Sequence, residues 1–228
     1  MGADEAMERA GELDVPLVFV TGIMPAAVYH GRHDVLLEVG AMEPFATTLS
    51  FAGRTITPHD RRIVRRLSDM RGMYQDVAQT EAILARDDPL IYEVYAVDVP
   101  ESVGQLLHCL TVLQPGRVGD EYYMTKGHFH VATDTAEVYL GLEGEGYLLM
   151  QTKEGDVQAL QMERGTIAYV PPDWAHRTVN TGRAPFVFFA VWPAHAGHDY
   201  GTIEASGFAR LVVERDAQPR VVPNPQYT

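Results

Sequence analysis

The chain has 228 residues, of which 46% are hydrophobic and 21% charged, enough for a globular protein to bury a sizeable core. Its formal net charge of −13 argues against nucleic acid and anionic membrane surfaces as partners, because both bind basic patches. The same charge means that an anionic ligand must be held by a local site against the field of the whole molecule. Residues 1–12 are acidic, unlike the n-region of a signal peptide, and are expected to be a helix or a tail. Residues 13–56 carry short apolar runs, P-L-V-F-V at 16–20 and V-L-L-E-V at 35–39, punctuated by Pro16, Gly22, Pro25, Gly31, Gly40 and Pro44. They read as strands and loops. Residues 1–56 are thus an expected N-terminal extension, an edge strand or a dimer arm, ahead of a single domain over 57–228. The Arg-rich run R-R-I-V-R-R at 61–66 reads as a solvated or dimer-facing surface.

One helix is expected next. Asp76 with Gln79 resembles a capping box, and V-A-Q-T-E-A-I-L-A-R has helical spacing until Asp87-Asp88-Pro89 stops it. Beyond Pro89 the chain is strand-like. Y-E-V-Y-A-V, G-Y-L-L-M-Q-T and F-V-F-F-A-V-W suit strands, and Pro115-Gly116, Glu143-Gly144, Glu154-Gly155 and Arg164-Gly165 suit turns. The expected fold is all-β dominated, a single antiparallel β-sandwich or barrel with one or two short helices. The one cysteine, Cys109, lies in the apolar run L-L-H-C-L-T-V-L; it excludes an internal disulfide and reads as a small buried hydrophobe. No apolar run is long enough to span a bilayer, so the expected location is the cytoplasm.

Four residues have the chemistry of a metal site. The run T-K-G-H-F-H-V-A-T-D-T-A-E supplies His128, His130 and Glu137, and V-P-P-D-W-A-H-R-T-V-N supplies His176. On a strand, His-x-His puts both imidazoles on one face, with Cα atoms roughly 6.6 Å apart. Glu137 follows on a second strand and His176 must arrive from a third. Three nitrogens and one oxygen suit one divalent ion, Fe, Mn, Ni, Co or Zn. A histidine pair alone also caps or packs, so the reading rests on the four together.

Two Gly-bounded strand blocks with these ligands resemble the two motifs of the cupin superfamily, in which a small β-barrel holds a metal in its interior. Cupins often have glycine beside the proline pair, where this chain has Asp173. A closer resemblance runs from about Pro58 to Tyr227. R-R-L-S-D-M at 65–70, D-P-L-I-Y-E-V-Y-A-V at 88–97, T-K-G-H-F-H at 125–130, A-E-V-Y-L at 136–140, Y-V-P-P-D-W-A-H-R-T-V-N at 169–180 and A-G-H-D-Y-G-T-I at 196–203 are similar to the cupin-type glucose-6-phosphate isomerases. The tail V-V-P-N-P-Q-Y at 221–227 fits as well. The resemblance implies a metal-dependent aldose–ketose isomerase acting on hexose 6-phosphates, and a homodimer. It implies that Tyr92, Thr111, Thr125, Gly127, His198 and Tyr200 line a phosphosugar site, with Tyr139 beside Glu137. From the residues alone, Tyr92 and Tyr139 would more often be core aromatics.

In that reaction a nearby carboxylate can shuttle the proton, for which Glu137 is the candidate; because a firmly metal-bound carboxylate is a poorer base, a loosely held Glu137, another group, or a direct hydride shift between the carbons are the alternatives. The phosphate needs backbone N–H groups, hydroxyls and positive charge, which Thr125, Lys126 and Gly127 offer together. The expectation is a phosphate held largely by neutral donors, with Arg65 and Arg66 uninvolved. Trp192 is a departure, since the family usually carries a tyrosine there; it is taken as a catalytic-site residue, and His195 beside it is also unusual. Both leave room for another sugar phosphate as substrate. An Fe(II) oxygenase and a non-catalytic sugar-binding cupin are further alternatives.

Overall fold

A computed structural model describes residues 42–227, of which Phe45 onward belongs to one unit. Its elements in chain order are strands β1 (Thr48–Ser50), β2 (Thr55–Thr57) and β3 (Arg61–Arg66), a 3-10 segment (Leu67–Met73) and helix α1 (Val77–Leu84). There follow β4 (Leu90–Val97), β5 (Leu106–Leu113), β6 (Arg117–Val118), β7 (Glu121–Tyr122), β8 (Glu137–Glu143), β9 (Glu145–Gln151) and β10 (Val157–Glu163). The chain continues through β11 (Ile167–Val170), β12 (Ala175–Asn180), β13 (Phe186–Pro193), helix α2 (Gly201–Ser206), β14 (Arg210–Arg215) and β15 (Gln218–Pro223). The expected cap is present: Asp76 accepts the Gln79 backbone N–H at 2.8 Å and opens α1. The glycines at the expected turns, Gly144, Gly155 and Gly165 among them, take the left-handed φ that such turns require.

Six strands form the largest sheet, in the order β11-β8-β13-β5-β4-β3, with every pair antiparallel. A three-stranded sheet, β10-β9-β12, shares a core with its inner face: Tyr92, Cys109, Leu113, Tyr139, Phe188 and Trp192 from the first pack in one cluster with Leu148, Met150 and Val179 from the second. Strand β8 alternates buried and exposed positions as a half-covered strand should. Strand β12 is buried along its whole length, because Phe129, Ile203 and Phe208 cover its other face. A four-stranded sheet, β15-β14-β7-β6, completes the strand framework.

The hairpin β1–β2 sends Ile56 into a separate cluster with Tyr95, Val97, Leu110, Val112 and Val187 on the outer side of the six-stranded sheet. Of the expected extension, residues 1–56, the structure describes 42–56. Its helix or tail at 1–12 and its runs at 16–20 and 35–39 lie outside the described residues.

Candidate metal centre and sugar-phosphate cavity

Three backbone segments bring the four expected ligands together. His128 pairs with His176 across an antiparallel bridge, exchanging N–H to O contacts of 3.3 and 3.1 Å. Phe129, between His128 and His130, turns into the opposite apolar cluster, so the alternation expected of His-x-His holds although the segment is bridged and not a full strand. Glu137 opens β8 and His176 lies in β12. One nitrogen from each histidine and a Glu137 oxygen all lie within 4.8 Å of one another.

The protonation pattern asks for a cation at this point. His130 Nδ1 lies 2.9 Å from Thr135 Oγ1, whose own proton goes to the Ala132 carbonyl, so Nδ1 carries the proton. His176 Nδ1 lies 3.2 Å from the Trp174 carbonyl and must likewise donate. Both Nε2 atoms are then bare lone pairs in the neutral rings, and they face Glu137 Oε2 at 3.1 and 3.0 Å. His128 Nε2 is buried without a partner among the described residues. Lone pairs converging on a carboxylate repel unless a positive ion sits among them, so the donor set fits a metal. Burial alone would raise the Glu137 carboxyl; protonated His176 and His130 would hold it low, and with those rings neutral the positive charge has to come from an ion. Burial, with His176 and His198 nearby, pushes His128 well down, keeping it available as a neutral ligand.

The cluster lines a cavity of about 400 Å³, a size suited to a small ligand. Tyr92, Thr111, Thr125, Lys126, Gly127, Tyr139, Trp192, His198 and Tyr200 line it. The Tyr139 phenol, raised well above its usual value by burial and by Glu137, stays protonated beside that carboxylate. The Trp192 indole meets the His198 ring edge-on at 5.8 Å, and its Nε1 is buried without a partner among the described residues. His195 lies outside the cavity lining. Asp173 takes φ +64, the left-handed conformation that glycine at the cupin position would adopt freely.

The T-K-G segment rests on a buried cation. Arg177 donates to the Lys126 carbonyl at 2.6 Å and stacks its guanidinium 4.2 Å over the Phe208 ring. Burial lowers its pKa to about 10. Gly127, at φ +76, lies flat against this pair; a Cβ there would approach Phe208 to 2.8 Å and Arg177 to 3.0 Å.

Several cavity residues escaped the sequence reading. Cys109 is buried as expected, its thiol pushed up to about 12 by burial, but it lies on the cavity wall with Thr178, Phe188 and Ala190. The Arg-rich run needs correcting. Arg61, Ile63 and Arg65 line the cavity, Arg61 at its exposed rim, whereas Arg62 and Arg66 are exposed and outside the lining; Arg62 pairs with Glu93 and Arg66 donates to the Asp88 carbonyl. The period-two spacing of 61, 63 and 65 was the available signal, masked by four arginines in six residues.

An antiparallel double-sheeted barrel with a three-histidine, one-carboxylate centre inside is a cupin. Residues 64–227 match the glucose-6-phosphate isomerase family model. Glucose-6-phosphate isomerase of Pyrococcus abyssi is 48% identical over 185 residues, 81% of this chain and 97% of its own. That of Thermococcus gammatolerans is 50% identical over 173 residues, 76% of this chain and 91% of its own. A solved oxalate oxidase is far more remote, at 14% identity and a TM-score of 0.41 over 50% of this chain and 56% of its own. The chain belongs to the glucose-6-phosphate isomerase family.

Proposed function

We propose that the protein interconverts glucose 6-phosphate and fructose 6-phosphate, using one divalent metal held by His128, His130, Glu137 and His176. The observation that carries this is the convergence of bare imidazole nitrogens on Glu137 Oε2 in a cavity that the T-K-G and H-D-Y-G segments also line. The reaction moves hydrogen between C1 and C2 of the sugar. When bound, a divalent ion supplies Lewis acidity that favours negative charge on oxygens of the reacting carbons. The protein's own groups do the rest. Glu137 is the carboxylate nearest the centre and the candidate to accept and return the proton. Tyr139, kept protonated by burial, stands beside that carboxylate with a hydroxyl that can donate to it. Trp192 Nε1 and His198 offer donors to sugar oxygens. Thr111, Thr125, Lys126, Gly127, Tyr92 and Tyr200 bind the phosphosugar, with Gly127 packed flat on Phe208 and Arg177 behind the segment.

The assay is direct: metal-reconstituted protein is tested in a coupled assay against a panel of sugar phosphates. Turnover of fructose 6-phosphate above the others supports the reading; confirmed metal with no isomerisation of either hexose 6-phosphate overturns it. Among the described residues no helix is long and apolar enough to cross a membrane. A phosphorylated substrate does not cross a bilayer unaided, which favours a cytoplasmic location. We also infer a homodimer, and a monomeric mass by light scattering at micromolar concentration would refute that.

A further inference from the structure

We propose that Arg65 is the guanidinium that receives the substrate phosphate; this rests on the sugar-phosphate reading above and reverses the expectation that neutral donors suffice. The argument begins with charge. In a chain of net charge −13, a phosphate dianion needs a local cation that nothing else has claimed. Besides histidines, three cationic side chains line the cavity: Arg61, Arg65 and Lys126. Arg61 is committed to Asp98, donating Nε at 2.6 Å and Nη2 at 2.6 Å. Lys126 Nζ lies 3.2 Å from Glu204. Arg65 has no carboxylate partner among the described residues; it makes a long contact of 3.3 Å to the Val64 carbonyl and lies beside the neutral Tyr92 hydroxyl. It is half-buried, so its planar fork stays within reach of a ligand.

The backbone aims it. β3 is the edge of the six-stranded sheet, and its register with β4 is unbroken from Arg61 to Arg65, shifting only beyond it. Period-two alternation therefore places Arg65 on the same cavity-lining face as Arg61 and Ile63. Arg65 pairs across to Tyr92, so the guanidinium shares its corner of the cavity with phenols. Burial pushes the Tyr92 hydroxyl up to about 12 while Arg65 opposes it, and Arg65 acts in the same sense on Tyr200. A guanidinium flanked by two protonated phenols supplies charge and neutral donors to the three oxygens of a phosphomonoester.

The test uses metal-loaded protein and two ligands: fructose 6-phosphate in the coupled assay, and glycerol 3-phosphate, which has no carbonyl, by calorimetry. Arg65→Ala is expected to raise the KM and the Kd each roughly tenfold or more, with kcat at saturation changed less than about threefold. Arg65→Lys should recover part of the loss. Arg65→Gln serves if Arg65→Ala folds poorly. Arg62→Ala, on the outer face, should match wild type. KM and Kd within about twofold of wild type in both neutral variants would overturn the assignment, as would a wild type that binds no glycerol 3-phosphate. Arg65-dependent phosphate binding without any isomerisation would leave Arg65 in place and remove the isomerase reading instead.

Discussion

The two walls of the cavity are built on opposite terms. On the metal wall the ligands are deeply placed, Glu137 and His176 almost wholly buried, and His130 and His176 are fixed through Nδ1 by neighbouring oxygens. Their positions follow from central β8, from β12 and from the bridge between His128 and His176, where strand pairing leaves little freedom. On the opposite wall Arg65 sits on an edge strand, half-buried and weakly tethered, beside Tyr92 and Tyr200. The difference suits the tasks. A small ion demands ligand atoms held to within a few tenths of an ångström, while a sugar phosphate is larger and tolerates side chains that settle on binding.

The largest effect is expected from dismantling the rigid wall. His128→Ala combined with His130→Ala should remove the metal and lower turnover roughly a thousandfold or more, about 4 kcal/mol of barrier. Elemental analysis reads the first and the coupled assay the second. Full metal occupancy in the double variant would show that the four residues are not the binding set.

A smaller effect is expected at the join. Gly127 lies between Lys126 and His128, so it touches both walls in sequence. Gly127→Ala strains a left-handed residue and drives a methyl towards Phe208 and Arg177. A cost of about 1–3 kcal/mol is typical of such strain. If the walls are separable, the cost should appear as a raised KM with metal content unchanged. Loss of metal in this variant would show that the T-K-G segment and the histidines behave as one rigid piece, and the contrast between the walls would fail.

This contrast also explains what was legible in the sequence. The proposed metal ligands lie in two short blocks, and their residue types and the His-x-His spacing carry the chemistry without knowledge of tertiary contacts. The helix cap at Asp76 and the glycine turns are likewise local. Arg65 was harder to read. Period two places it on one face with Arg61 and Ile63, but its neighbours Arg62 and Arg66 made the run resemble surface, and its pairing against Tyr92 is long-range. Whether Arg61 or Arg65 is the available cation depends on Asp98, more than thirty residues from either. The support of the T-K-G segment by Arg177 and Phe208 is equally long-range, since those residues lie some fifty and eighty positions further on.

The smallest effect is expected at Trp192, where the resemblance leads one to expect a tyrosine. Its Nε1 is buried at the cavity without a partner among the described residues, so a sugar oxygen is the group that would satisfy it. An unmet buried donor costs about 1–3 kcal/mol, which favours a contact in the complex. Trp192→Tyr replaces one donor with another and opens space beside His198, whose ring the indole now meets edge-on. Turnover of fructose 6-phosphate should therefore be preserved or raised, and by no more than roughly tenfold. A wild type slow on fructose 6-phosphate but accelerated beyond that by the substitution would mean that the indole has shifted the site towards another sugar phosphate. A loss of roughly a hundredfold would mean that the indole N–H itself is required, and that this part of the cavity is as exacting as the metal wall.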